Sequence, residues 1–273
     1  MSLNLGIIAS SRGTAAPVGI TPLLDLYPGA ALAFSLRKLR TAYAGSAIRV
    51  RRSSDNTEMD IGFDGGGGLD TTALTTFVGA GTGYVKIWYD QSGNANNATN
   101  SDINLVPIIV QSGVLVTDGG KVAVIPVRNM NFTAISGSVP NYSGYSVMSR
   151  TSATNILTSF SGSSSPFISL IYLNSFAYNQ NLTNEISYSF PSTGRFLFST
   201  LNISNNQSAF VNGTLKTVVK VTNTISNAFD RFLSRSASEP FSGKTQEHVF
   251  YQTNQSANNS AINSNINSYY SIF

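Results

Sequence analysis

Beyond about residue 105 the chain repeats one local pattern: a short apolar, β-branched or aromatic run, then a turn rich in Gly, Asn or Ser, roughly every ten residues. That spacing belongs to sandwiches and barrels rather than to alternating strands and helices. Strands are expected near 108–111, 121–126, 145–150, 167–173, 185–190, 195–203, 208–211, 214–221, 229–234 and 245–252. The pair flanking Asn212-Gly213 is the clearest, because Asn-Gly takes the left-handed conformations of a two-residue primed turn. Earlier in the chain, Ala47–Arg52 alternates apolar and basic residues, a half-buried strand with its arginines facing solvent, and Gly83–Asp90 reads as the strongest single strand. Residues 31–43 lean to a strand as well. Asp70 reads as the N-cap of a short helix carrying Leu74, Phe77 and Val78 and stopped at Gly79, and 258–270 places Ile262 and Ile266 at helical spacing. No composition break divides residues 21–273, so they are expected to form one all-β jelly-roll sandwich with short helices, preceded by an apolar arm over residues 1–20.

Charge argues in the same direction. Only 11% of the 273 residues are charged while 41% are hydrophobic, so the chain is neither disordered nor an ordinary charged surface. The net charge is +4, and the one basic cluster, Arg37, Lys38, Arg40, Arg49, Arg51 and Arg52, is followed at once by Asp55, Glu58, Asp60 and Asp64, which can pair with it. No nucleic-acid partner is expected. No run approaches the ~18 apolar residues of a membrane span, and the first residues lack a secretory signal pattern, so a soluble chain without membrane insertion is expected.

The chemistry open to the chain is narrow. With no cysteine there is neither a thiol nucleophile nor a thiolate metal site, and a single histidine, His248, excludes a site built on imidazoles. Gly65–Gly68 lacks the Lys-Ser/Thr that completes a phosphate loop, and Asp64, Asp70, Asp90 and Asp118 lack calcium-loop spacing, so no cofactor and no metal are expected. His248 sits in a strand-like run and reads as a packed or surface residue. Glycoside hydrolysis needs only two carboxyl groups, and the second half supplies Glu185, Asp230, Glu239 and Glu247. Glycan binding needs an aromatic face with planar amide or carboxylate partners. Trp88, Tyr89, Asp90, Gln91 and Asn94 are the densest such group. The alternative is that Trp88 and Tyr89 are core, while Asp90 and Ser92 bond the backbone of their own turn.

Leu24–Tyr27, Ala33–Arg37, Ala47–Asn56, Asp60–Phe63, Leu69-Asp70 and Trp88–Asn94 together resemble, in order and spacing over roughly residues 23–100, the catalytic domain of fungal-type α-L-arabinofuranosidase B. The resemblance implies a concanavalin A-like β-sandwich. It also departs from the family. The family's nucleophilic Glu follows a Cys-Cys pair, and the nearest counterpart here, residues 157–164, holds no cysteine and no acid. The family's acid/base Asp lies in a Gly-Gly-Asp-Asn stretch, and residues 233–238 offer hydroxyls instead. Similar domains look common in bacteriophage structural proteins. The expectation is therefore a non-enzymatic virion component, of head or tail, with no catalytic residues. Its expected partners are copies of itself and other virion proteins, engaged through residues 3–20, with a cell-surface glycan as a further partner. The alternatives are a glycan-binding receptor-recognition module and an active arabinofuranosidase-like hydrolase.

Overall fold

The computed structural model describes residues 19–135, 141–151, 157–158, 160–161, 170–172, 175–177, 185–186, 194–204, 206–220, 229–233 and 243–273. The arm expected over residues 1–20 thus falls almost wholly outside them, as do Glu239, half of 157–164 and most of 233–238. Two antiparallel sheets face each other. One has six strands, in the order Leu32–Ser35, Gly243–Tyr251, Tyr142–Arg150, Gly194–Ile203, Asn206–Val211 and Thr214–Lys220. The other runs Phe160–Ser161, Phe229–Phe232, Met130–Ile135, Ala98–Thr99, Gly83–Trp88, Ile48–Arg52 and Glu58–Ile61, with Ile108–Gln111 and Val114–Leu115 branching from Gly83–Trp88. This is the expected β-sandwich.

The six-stranded sheet is the middle layer. Its inward residues, among them Phe34, Tyr142, Met148, Phe196, Phe198 and Phe250, join Trp88, Val85, Ile48 and Phe232 of the opposite sheet in one core. Phe34 and Phe232 stack with centroids 4.9 Å apart and planes 6° apart. Its outward residues, including Ala33, Tyr145, Val147, Leu197, Val249 and Tyr251, pack under helix α1 (Leu23–Leu26) and helix α3 (Asn259–Tyr270) through Leu23, Ile262, Ile266 and Tyr270. Tyr142–Arg150 is consequently buried at all nine positions. A strand covered on both faces loses the apolar/polar alternation that a solvated face would impose.

Local signals explain the rest. Helix α2 (Thr71–Val78) starts where the Asp70 carboxylate accepts from Ala73 N at 2.9 Å, and it stops at Gly79, whose φ is 61°. Asn212 and Gly213, at φ 52° and 71°, form the two-residue hairpin turn. Three expectations need correction. The strand expected over 31–43 is only Leu32–Ser35, because Leu36–Leu39 turns away to meet the Gly65–Gly68 loop and Gln91. Met130–Ile135 is a strand the pattern did not reveal. The arginines of Ile48–Arg52 do not share one solvated row: Arg51 is buried, its guanidinium 4.5 Å from the centroid of the Tyr84 ring.

Candidate functional site

Trp88 to Asn94 leaves the end of a central strand and crosses to the outer edge of Leu32–Ser35, the first strand of the other sheet. Trp88 points inward, fully buried, with its ring 5.7 Å from Phe232 and 6.3 Å from His248. Tyr89 points to the opposite side. Its hydroxyl donates to Asp60 Oδ1 at 2.7 Å, and Arg49 pairs with the same carboxylate through Nε and Nη2, both at 2.8 Å. Partial burial and the Asp60 bond push the Tyr89 hydroxyl up to about 12, while the Arg49 bonds hold Asp60 below the usual carboxylate range.

Asp90, almost wholly buried, accepts at Oδ1 from Ala33 N and Ser92 N, both 2.9 Å, and at Oδ2 from Ser92 Oγ at 2.6 Å and Asn96 N at 3.1 Å. Gln91 donates its amide to Ser35 O and Arg37 O and accepts from Leu39 N at 2.8 Å, while its backbone N–H reaches Ala33 O. Asn94 Nδ2 donates to Ala30 O and Ala31 O. Of the five glycan candidates, three therefore direct their polar atoms to backbone, Trp88 is enclosed, and Tyr89 keeps a half-exposed ring beside the Arg49–Asp60 pair. The Asp90 carboxylate bonds its own turn at Ser92 and Asn96, and Ser92 Oγ accepts from Asn94 N, whereas the Gln91 amide bonds Ser35, Arg37 and Leu39 outside that turn; Tyr89 does not join the core.

His248 is fully buried on the inward face of the six-stranded sheet. Its Nδ1 lies 2.9 Å from Ser146 Oγ and its Nε2 2.7 Å from Thr245 Oγ1. Thr245 Oγ1 donates its proton to Val147 O, so it accepts from Nε2–H, which makes Nδ1 the acceptor for Ser146. Burial lowers the imidazole to about 3, fixing it neutral. The Ser–His spacing suits a nucleophile and base, but Ser146 is as buried as the ring and a threonine stands where an orienting carboxylate would be. The arrangement is a packed polar node, as expected for a lone histidine in a strand. Glu247, its neighbour, faces the other way. Both its oxygens accept from Arg37, at 2.7 and 3.0 Å, and Ser35 Oγ and Tyr270 Oη add bonds at 2.7 and 3.2 Å. No sequence signal tied residues 37 and 247 together. This removes Glu247 from the carboxyl groups available for chemistry.

The other second-half acids lie toward the far edge of the larger sheet, in a separate four-stranded sheet, or outside the described residues. Asp230 stands in Phe229–Phe232, its carboxylate bonded by Arg231 Nε at 2.8 Å and Nη2 at 3.2 Å, next to the edge strand Phe160–Ser161. Glu185 lies in the short strand Glu185–Ile186, and Glu239 is not among the described residues. No group of three metal-ligating side chains occurs among the described residues.

Residues 26–111 match the family model for the catalytic domain of α-L-arabinofuranosidase B. The chain carries a domain resembling that catalytic domain. A probable α-L-arabinofuranosidase B of Aspergillus flavus is 34% identical over 106 residues, 37% of this chain and 20% of the relative. The α-L-arabinofuranosidase B of Aspergillus niger is 35% identical over 95 residues, 33% of this chain and 19% of the relative. The matched stretch thus spans about a fifth of these relatives. The arabinofuranosidase-like fold extends further: a mutant GH54 α-L-arabinofuranosidase soaked with 4-nitrophenyl α-L-arabinofuranoside superposes with a TM-score of 0.70 at 17% identity, over 91% of this chain and 64% of its own. An arabinofuranosidase complexed with arabinofuranosyl-α-1,2-xylobiose gives 0.67 at 17% identity, with the same coverage. These findings overturn the expectation of a non-enzymatic virion component. What the chain resembles is a catalytic domain of a glycoside hydrolase, and none of these likenesses involves a virion protein.

Proposed function

We propose that this chain is an arabinofuranosidase-like glycoside hydrolase domain that cleaves an α-L-arabinofuranosyl bond. The observation that carries the reading is the match of residues 26–111 to a catalytic-domain model, supported by a fold likeness that reaches 91% of the chain. The chemistry asks for two carboxyl groups across the scissile bond, about 5–5.5 Å apart for retention or about 6.5–9.5 Å for inversion. Glu247 is committed to Arg37 inside the fold, so the candidates in the second half are Glu185, Asp230 and Glu239. The pair of hydroxyl-rich segments, 157–164 and 233–238, contributes neither group, since a hydroxyl at its usual pKa neither protonates a leaving oxygen nor forms the glycosyl intermediate as a tuned carboxyl does. The domain's partner on this reading is a glycan bearing arabinofuranosyl groups.

The test is release of 4-nitrophenol from 4-nitrophenyl α-L-arabinofuranoside by the full chain. Turnover that falls by ~10³-fold or more in Asp230→Asn or Glu239→Gln, with the melting temperature unchanged, is the expected result. No turnover over the uncatalysed rate, across pH 4–8, would overturn the proposal.

A further inference from the structure

One cavity lies beside the buried Arg37–Glu247 pair. It holds about 310 Å³ and is lined by Ile20, Pro22, Arg37, Lys38, Thr41, Asp64, the backbone of Gly65–Gly67, and Tyr269. The glycine run Gly65–Gly68 is held by its neighbours. Asp64 Oδ1 accepts from Gly66 N and Gly68 N at 2.8 and 2.9 Å, and Lys38 N donates to Gly67 O at 2.7 Å. A side chain at 68 would crowd this wall, since a Cβ there would lie 3.2 Å from Tyr269 Oη and 3.4 Å from Asp64 Oδ2.

Three polar groups in this wall have no hydrogen-bond partner among the described residues: the Lys38 ammonium, Tyr269 Oη and Asp64 Oδ2. A fourth, the Thr41 hydroxyl, donates to Asp25 and so offers only a lone pair. The formal charges cancel. Lys38 and Asp64 both line the cavity, with no ion pair between them, and Arg37 is neutralised by Glu247. A free anion would meet the Asp64 carboxylate and a free cation would meet Lys38, so neither is favoured. A neutral ligand with adjacent hydroxyls fits both kinds of group, accepting from Lys38 and Tyr269 and donating to Asp64 and Thr41. The volume is at the small end of ligand sites and suits one ring rather than a chain.

We propose that this cavity is a subsite for a single neutral sugar residue, distinct from any reacting centre built on the second-half acids. The loop that forms it follows Glu58–Ile61, the strand at one end of the larger sheet, whereas Phe160–Ser161 and Phe229–Phe232 stand at the other end. A glycan held here is anchored on the opposite flank of the domain from Asp230.

The test is backbone and side-chain NMR of the full chain during titration with L-arabinose and, separately, D-xylose, up to about 50 mM, which reaches binding of millimolar strength. Shifts confined to Lys38, Thr41, Gly65–Gly68 and Tyr269 are expected, and Tyr269→Phe or Asp64→Asn should weaken them about 5- to 10-fold by removing one hydrogen bond each. Gly68→Val should abolish them by filling the wall. No shift at these residues with either sugar, or shifts that survive all three substitutions, would overturn the subsite. Nitrophenol release reports on the hydrolase reading alone, so the two proposals fail separately.

Discussion

Replacing Asp90 by alanine removes the acceptor for three backbone amides and one hydroxyl in a single step. The cost can be worked out site by site. Ala33 N lies in a fully buried strand and receives no water once Oδ1 is gone, so it loses a charge-assisted bond and remains unsatisfied, ~1–3 kcal/mol. Ser92 N and Asn96 N are part-buried, so water replaces the carboxylate in part, at ~0.5–1.5 kcal/mol each. The Ser92 hydroxyl rotates to another acceptor and adds little. The sum is ~2–6 kcal/mol, or roughly 4–24 °C in melting temperature for a chain of this size. Asp90→Asn keeps an oxygen for Ala33 N and Ser92 N and turns a donor toward Asn96 N, so it should cost less than half as much. Urea unfolding followed by circular dichroism measures both, with the midpoint falling and the slope unchanged. An alanine variant within ~1 kcal/mol of the parent would refute the argument that this carboxylate holds the two sheets together at their corner.

Two further outcomes follow from the described geometry. His248 is lowered by burial from 6.5 to about 3, so below pH 6.5 the unfolded chain takes up a proton that the folded chain refuses. Stability is therefore lost as pH falls from about 6.5 toward 3, at up to ~1.4 kcal/mol per pH unit and ~2 kcal/mol by pH 5; His248→Gln should flatten that slope between pH 7 and 5, and identical slopes in the two proteins would count against it. Gly213 sits at φ 71° with the Phe273 ring 3.4 Å from where a Cβ would be. Gly213→Val should lose ~1–3 kcal/mol and Gly213→Asn less than ~1, and thermal unfolding of an unperturbed valine variant would contradict the primed turn.

What could be read in the sequence was what short-range chemistry determines. Asp70 caps the residue three positions on, Asn212-Gly213 needs only its own dihedrals, and Asp90 bonds amides two and six positions away. Met130–Ile135 escaped notice although Met130 and Phe132 alternate inward, because Asn129 and Asn131 look like turn residues; here they bond each other, and Asn131 pairs across to Thr99. The Arg37–Glu247 pair joins residues 210 positions apart, and no periodicity encodes such a contact. The functional error had a different origin. Finding no acid in 157–164 and 233–238 argued against hydrolysis only if those segments were the true counterparts, and the family match ends at residue 111. Two carboxyl groups need proximity in space, and chain order does not fix that.

The turn that joins the sheets has a consequence for how the protein behaves at high concentration. Along the outer side of Leu32–Ser35, the oxygens of Ala31, Ala33 and Ser35 and the N–H of Ala33 are all occupied by Asn94, Gln91 and Asp90. A strand whose outward groups are already bonded cannot template another chain. The opposite margin of the six-stranded sheet, Thr214–Lys220, has no further strand beside it among the described residues. A sheet with one sealed margin and one open margin can pair with a second copy across a two-fold axis, and that pairing uses up both open margins. It cannot add a third copy in line through this sheet, so edge pairing here closes at two copies.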